Sequence, residues 1–307
     1  FTAEDLQTDT GYFVDFKTHN PQTIPTVGLR HVNLKAASQA LRAQQSGDAD
    51  RIVVDKSLLA DLENAPFAHL HNHSQFSVLQ STISVDGVVD AAIKQGHQAV
   101  ALTDHGNMMG AFKFVSKIFD HNKSIEGKRK EAEESGENFE GKTLKPIVGC
   151  EFYVCEDRKD KTRKDNGYQV VFLAKNKQGY HNLAKMSSVA YTEGFYYVPR
   201  IDKATVEQYK EHLIVLSGNL YGEIPSNVLN MGESQAEEAL LWWKAQFGED
   251  LYLEIMRHGQ EDESRVNETL IQFSEKHNVK LLATNHTYYV SKADAHAHDI
   301  LLCVKDG

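Results

Sequence analysis

The sequence predicts a parallel α/β fold preceded by an N-terminal arm, and three observations predict it. Beyond Phe67 seven short apolar runs follow one another, helical patterns separate most of them, and metal-capable side chains gather where the runs end. A closed barrel and an open doubly wound sheet both satisfy that alternation.

Residues 1–65 stand apart. Three of the six prolines precede Phe67, Gln44–Asp50 is a polar run, and helical patterning around Leu34–Ala43 is modest. This part reads as an arm or linker with one or two short helices, and 66–307 as the domain proper. A start at Phe1 without methionine, and an end at Lys305-Asp306-Gly307, read as a piece of a longer chain.

Strands are expected at 67–71, 98–102, 146–154, 169–174, 213–217, 251–255 and 280–284. Between the first two, Asp86 is placed to cap a helix carrying Val88, Val89, Ala92 and Ile93, which Gly96 can end. Ala236, Leu240, Trp243 and Phe247 form one apolar stripe stopped by Gly248; Val266, Leu270 and Phe273 form another. Two stretches break the rhythm. Residues 121–142 hold six acidic and five basic side chains, and 156–166 hold nine charges in eleven positions. Both read as solvated insertions or flexible loops. Arg158, Lys159, Lys161, Arg163 and Lys164 can meet a phosphate backbone, but the run is mixed in sign.

Composition narrows the function classes. A hydrophobic fraction of 41% is enough for a sizeable core, and a net charge of −10 confines any nucleic-acid contact to a local basic patch. No run of ~18 apolar residues occurs, and the first residues lack a basic stretch followed by an apolar one. Cys150, Cys155 and Cys303 are too few, and odd in number, for a disulfide framework. The expectation is a soluble protein of the reducing cytoplasm with no membrane partner.

In a β/α barrel, functional groups sit at the C-terminal ends of strands. The first run ends in His69-Leu70-His71-Asn72-His73, and alternate residues of an extended chain share a face. His71 and His73 therefore present two nitrogens to one ion, a metal-site pattern. The second run leads into Thr103-Asp104-His105-Gly106-Asn107, where Asp104 either orients the His105 ring or caps the next helix. The third run carries Glu151. The later ones end in Ser217-Gly218-Asn219, Arg257-His258 and Asn285-His286. His97 and His181 read as hydrogen-bonded core histidines, and Cys150 and Cys155 as packing residues. Phe195, Tyr196 and Tyr197 can stack on bases, yet beside Pro199 they read first as core.

HLHNHSQFS, ALTDHGNM, PIVGCEFYV, VVFLAKNKQGYHNL, LIVLSGNLYGEIP and LLATNHTYYV together resemble, in order and spacing, the PHP domain of bacterial replicative DNA polymerase III alpha subunits. The resemblance runs from Phe67 to Gly307 and implies a distorted seven-stranded (β/α)7 PHP barrel. The arm at 1–65 is similar, more loosely, to the connector of members that carry a DEDD-type proofreading exonuclease ahead of this domain.

The resemblance also implies a ligand set. Metal-loaded members bind up to three ions through nine positions, of which this sequence keeps His71, His73, His105 and Glu151. At the other five it has Gln80, Gln169, Asn219, His286 and Tyr288. Three divalent ions bring a large positive charge, whereas Glu151 is the one certain anion retained, and neutral amides compensate poorly. The expectation is a degenerate site: either one zinc or manganese ion on His71, His73 and Glu151, with His286 or His105 nearby, or an ion-free rim. No catalytic residue is assigned. The implied role is structural, in DNA replication: bracing the polymerase core of the same chain and a proofreading exonuclease, with DNA met indirectly. An active metal-dependent 3′–5′ exonuclease or phosphoesterase is the alternative, in which His105 would carry the proton.

Overall fold

The computed structural model describes Gly11–Lys17, Thr26–Val32 and residues 67–306. Beyond residue 66 it is mixed α/β, with seven strands and eight helices among the described residues. The chain divides into two compact units, one of residues 68–215 with 286–307 and the other of 1–67 with 216–285.

The first unit holds the candidate site. Its sheet has the order β3 (Ala99–Leu102), β4 (Lys145–Cys155), β5 (Tyr168–Ala174) and β7 (Leu213–Leu216), with β6 (Arg200–Asp202) also pairing β4. The eleven-residue β4 organises it. Residues 145–148 run parallel to β3, 149–154 antiparallel to β5, and 153–155 parallel to β6. The antiparallel turn departs from the all-parallel expectation. No helix lies between Cys155 and Tyr168, and only a crossover helix would have carried the chain back to start a parallel neighbour.

Helix α1 (Val85–Lys94) buries Val85, Val88, Val89 and Ala92. They pack with Val100, Leu102, Phe114, Ile118 and Leu144 in one apolar cluster. The cap is Ser84, not Asp86: the Ser84 hydroxyl accepts from Gly87 N at 3.0 Å. Asp86 lies in the first turn instead, paired with Lys113 and Lys117. Ser84→Ala is expected to cost about 1 kcal/mol, which a shift of the denaturant midpoint at unchanged slope would report.

One expectation about charged segments is corrected and the other is refined. Residues 121–135 are not a loop but the outer part of α2 (Ala111–Ser135), a helix of 25 residues and about 37 Å. Only Ala111, Phe114 and Ile118 are buried along it, so its remaining turns carry charge in water, and Gly136 ends it at φ 72°. Residues 156–166 join β4 to β5, and they are pinned. Arg158 pairs with Asp202 at 2.7 Å and Glu193 at 2.9 Å. The fully buried Arg200 donates to the carbonyls of Gly194, Asp165, Arg158 and Asp160. Helix α3 (Lys177–Thr192), capped by Asn176, and the short α4 (Lys203–Tyr209), capped by Asp202, complete this part. Phe195 and Tyr197 are exposed, against the core reading, and so is His181 on α3. Helix α8 (Ala295–Asp306) follows the site segment at 286–288.

In the second unit β8 (Leu251–Ile255) runs parallel to β9 (Lys280–Ala283). Helices α5 (Glu223–Asn230), α6 (Glu233–Phe247) and α7 (Glu261–His277) belong to it. Ala236, Leu240, Trp243 and Phe247, and likewise Val266, Leu270 and Phe273, are buried as their spacing predicts. The arm contributes β1 (Gly11–Lys17) and β2 (Thr26–Val32), paired antiparallel, where at most short helices were expected. The helical pattern at 34–43 lies outside the described residues.

Candidate metal centre

Residues 67–71 were expected to form a strand and do not. The bonds of this segment are irregular: Asn72 N donates to the Thr103 hydroxyl, and the Asn72 amide donates to the carbonyls of His69 and Ala101. On the other side His73 N donates to Thr287 O at 3.0 Å, and Thr287 N to His71 O at 3.1 Å. Held from both sides, His71 and His73 still turn their rings the same way, 5.3 Å apart between centroids. Side chains thus do here what a regular ladder does elsewhere.

Glu151 and His105 form an isolated parallel bridge: Glu151 N donates to Asp104 O, and Gly106 N to Glu151 O at 2.7 Å. Gly106 sits at φ 66°, and a Cβ there would lie 2.5 Å from the Pro199 ring, so the turn after His105 needs glycine. His286 has φ 47°, a left-handed conformation costly for a non-glycine residue, at the point where the chain enters the site.

The geometry converges on one oxygen. Glu151 Oε2 lies 3.3 Å from His71 Nε2, 3.1 Å from His73 Nε2, 3.1 Å from His105 Nδ1 and 3.8 Å from His286 Nε2. His71, His73 and Glu151 are buried, and one ligand atom from each of these and His286 fits within 4.8 Å of the others. His73 Nε2, His105 Nδ1 and both Glu151 oxygens are buried without a hydrogen-bond partner. Buried polar atoms left in this state are rare unless something else satisfies them, and a divalent cation would. The residues present fit such an ion.

Electrostatics agree. Burial lowers the pKa of His73 and His286 and takes His105 down to about 3, a direction that favours the neutral, ligating form of these three rings. Burial by itself would raise Glu151, but the neighbouring imidazoles of His105, His71 and His73 outweigh it and keep the carboxylate ionised.

Asp104 does not face the cluster. It accepts from Ser74 N, Ser74 Oγ and Ser77 Oγ at 2.6–2.7 Å, and Ser77 Oγ also meets His73 Nδ1 at 3.0 Å. The carboxylate therefore acts on His73 through a serine, not on the His105 ring. Sequence reasoning missed Ser74 and Ser77; their spacing just after the histidine pair was the available signal. It also missed that Tyr153 stacks on His105 at 5.5 Å and that the Tyr288 hydroxyl lies between His105 Nε2 (3.0 Å) and His286 Nε2 (2.7 Å).

The remaining sequence candidates lie elsewhere. Gln80 meets the hydroxyl of Tyr153, whose pKa burial raises to about 12, and Gln169 sits on β5 opposite Tyr153. In the other unit Asn219 caps the turn into α5, accepting from Tyr221 N at 2.7 Å. His258 there is held by Glu263 at 2.6 Å and by the Asn285 carbonyl at 2.9 Å. His97 is half-buried, its ring 5.2 Å from that of His69, and Cys150 and Cys155 are buried. Among the described residues no helix is long and apolar enough to cross a membrane.

A family model, the PHP domain, matches residues 69–258 and so takes in His71, His73, His105 and Glu151. The DNA polymerase III subunit alpha of Borreliella burgdorferi is 40% identical over 245 residues, 78% of this chain and 20% of that protein. The same subunit of Treponema pallidum is 39% identical over 243 residues, 78% of this chain and 19% of the other. That of Aquifex aeolicus is 36% identical over 249 residues, 78% and 20%. The chain therefore spans about a fifth of the length of these relatives. On the match over residues 69–258 and these identities, the chain belongs to the PHP domain family and is homologous to part of DNA polymerase III subunit alpha.

Proposed function

We propose that the chain is the PHP module of a DNA polymerase III alpha subunit, acting in the bacterial cytoplasm mainly as a structural support. It would brace the polymerase core and position a proofreading exonuclease, with DNA met only through them. Its own metal site is reduced to a single divalent ion. The observation that carries this reading is that, among the described residues, Glu151 is the one carboxylate turned into a ring of four imidazoles. The other buried carboxylate beside it, Asp104, spends its oxygens on Ser74 and Ser77. One anion supports one dication, and two more would repel it without compensation.

His71, His73 and Glu151 would hold the ion, with a further imidazole from His105 or His286. Imidazole with a single carboxylate suits zinc, and manganese less well. When bound, such an ion polarises phosphate oxygens and acidifies water. The protein's part is to hold the rings in place and keep them neutral.

The test is metal analysis of the purified protein followed by a 3′-end nuclease assay and p-nitrophenyl phosphate turnover, each with added manganese. At most one ion per chain and no hydrolysis above background are expected. Chelator-sensitive cleavage abolished by His71→Ala would replace this reading with an active metal-dependent 3′–5′ exonuclease or phosphoesterase.

A further inference from the structure

We infer that the Tyr288 hydroxyl decides the fourth ligand of the ion site: it commits His286 Nε2 to itself and leaves His105 Nδ1 to complete the set with His71, His73 and Glu151. The inference rests on the single-ion reading above and deepens it by naming the ligands.

A neutral imidazole carries one N–H and one lone pair, and a phenol carries one proton. Tyr288 Oη lies 3.0 Å from His105 Nε2 and 2.7 Å from His286 Nε2, so it bonds both rings. Three arrangements satisfy both bonds, and in the third both imidazoles donate Nε2–H to the phenol oxygen, which leaves the His105 lone pair on Nδ1. In the first, His105 Nε2–H donates to Tyr288, and Tyr288 donates to His286 Nε2. The lone pair of His105 is then on Nδ1, 3.1 Å from Glu151 Oε2 and aimed into the cluster. In the second, His286 Nε2–H donates to Tyr288, and Tyr288 donates to His105 Nε2. His105 Nδ1 then bears a proton and points it at Glu151.

None of the three frees the Nε2 lone pair of His286. The first and third offer a nitrogen from His105, so an ion selects them over the second. His286 Nε2 lies 3.8 Å from Glu151 Oε2 but 2.7 Å from the phenol oxygen.

The phenol is not free to leave. Its ring stacks on His73 at 4.4 Å with an interplanar angle of 5°, and the Tyr288 carbonyl accepts from Thr82 N and the Ser81 hydroxyl at 3.0 Å. His105 is likewise stacked on His73, 4.2 Å between centroids. A hydrogen-bonded partner that orients a ligating ring in this way is a positioning group.

The experiment measures zinc affinity by chelator competition on the full chain, with circular dichroism to verify folding. His286→Ala is expected to leave affinity nearly unchanged, and His105→Ala to weaken it severely. Tyr288→Phe should weaken it roughly 10–100-fold, the usual effect of losing a group that orients a ligand. In the Tyr288→Phe background, His286→Ala should then weaken binding again, because the released nitrogen has joined the ion. A measurement that needs no variant is nitrogen NMR of the zinc-loaded protein, which should place the metal on His105 Nδ1 and the proton on Nε2. Loss of affinity in His286→Ala equal to that in His105→Ala, or a metal-shifted His286 Nε2, would overturn the assignment while sparing the single-ion reading. No zinc uptake by the unaltered protein would overturn both.

Discussion

Glu151→Gln is expected to erase the thermal stabilisation that zinc confers. Zinc at a hundred times its dissociation constant adds about 2.7 kcal/mol to the folded state. For a folded body of this size that is roughly 5–10 °C in melting temperature, at about 2–4 °C per kcal/mol. The glutamine variant should gain nothing, because among the described residues Glu151 is the only carboxylate turned to the four imidazoles. Melting curves of both proteins with and without zinc settle the matter. A variant that still rises by 5 °C or more, against the roughly 5–10 °C expected of the parent, would show that the ion does not depend on this carboxylate.

Arg200→Ala should be the most destabilising single change outside the apolar core, by about 3–5 kcal/mol. The side chain is fully buried on β6, and its guanidinium donates to four backbone carbonyls, three of them at residues 158, 160 and 165 of the charged connection. Its removal leaves those oxygens without a charged donor and opens a void under Tyr196, whose ring the guanidinium overlies at 5.4 Å. Lysine should rescue little, since one ammonium cannot span the carbonyls that a planar five-donor fork reaches. Differential scanning calorimetry would report the loss, and limited proteolysis should show new cleavage within 156–166. An unchanged melting point would mean that the connection is held by the Arg158 pairs with Asp202 and Glu193 alone.

Particular residues show which parts of this structure could be read from sequence. The mixed α/β class was legible because period-2 and period-3.6 patterns alternate, and the stripes at Ala236–Phe247 and Val266–Phe273 are buried as spaced. The histidine pair, His105, Glu151 and His286 come together because each follows an apolar run, a rule about rims that needs no coordinates. What failed was local. Asp86 looked like a cap, but Ser84, two residues earlier, had the free hydroxyl at the right place. Charge density at 121–135 was taken for a loop, although Glu, Lys and Ala are good helix formers and a solvated helix needs no apolar face once its first turns are anchored. The pinned connection at 156–166 was invisible because its anchor, Arg200, lies some forty residues further on. Direction of a strand was also beyond the pattern: β5 reads identically whether parallel or antiparallel, and only the missing helix before it hinted at the answer.

The return of residues 286–306 to the unit begun at residue 68 sets a timetable for synthesis. His71 and His73 take their backbone partners from Thr287, and the Asn72 side chain meets the Thr287 hydroxyl across a separation of 215 residues. At a ribosomal rate of about 5–20 residues per second, the nascent histidine pair waits roughly 10–40 s before those partners exist. The segment at 286–288 is thus the clasp that closes the centre, and the time taken to make residues 216–285 governs how long the half-built pocket stands open.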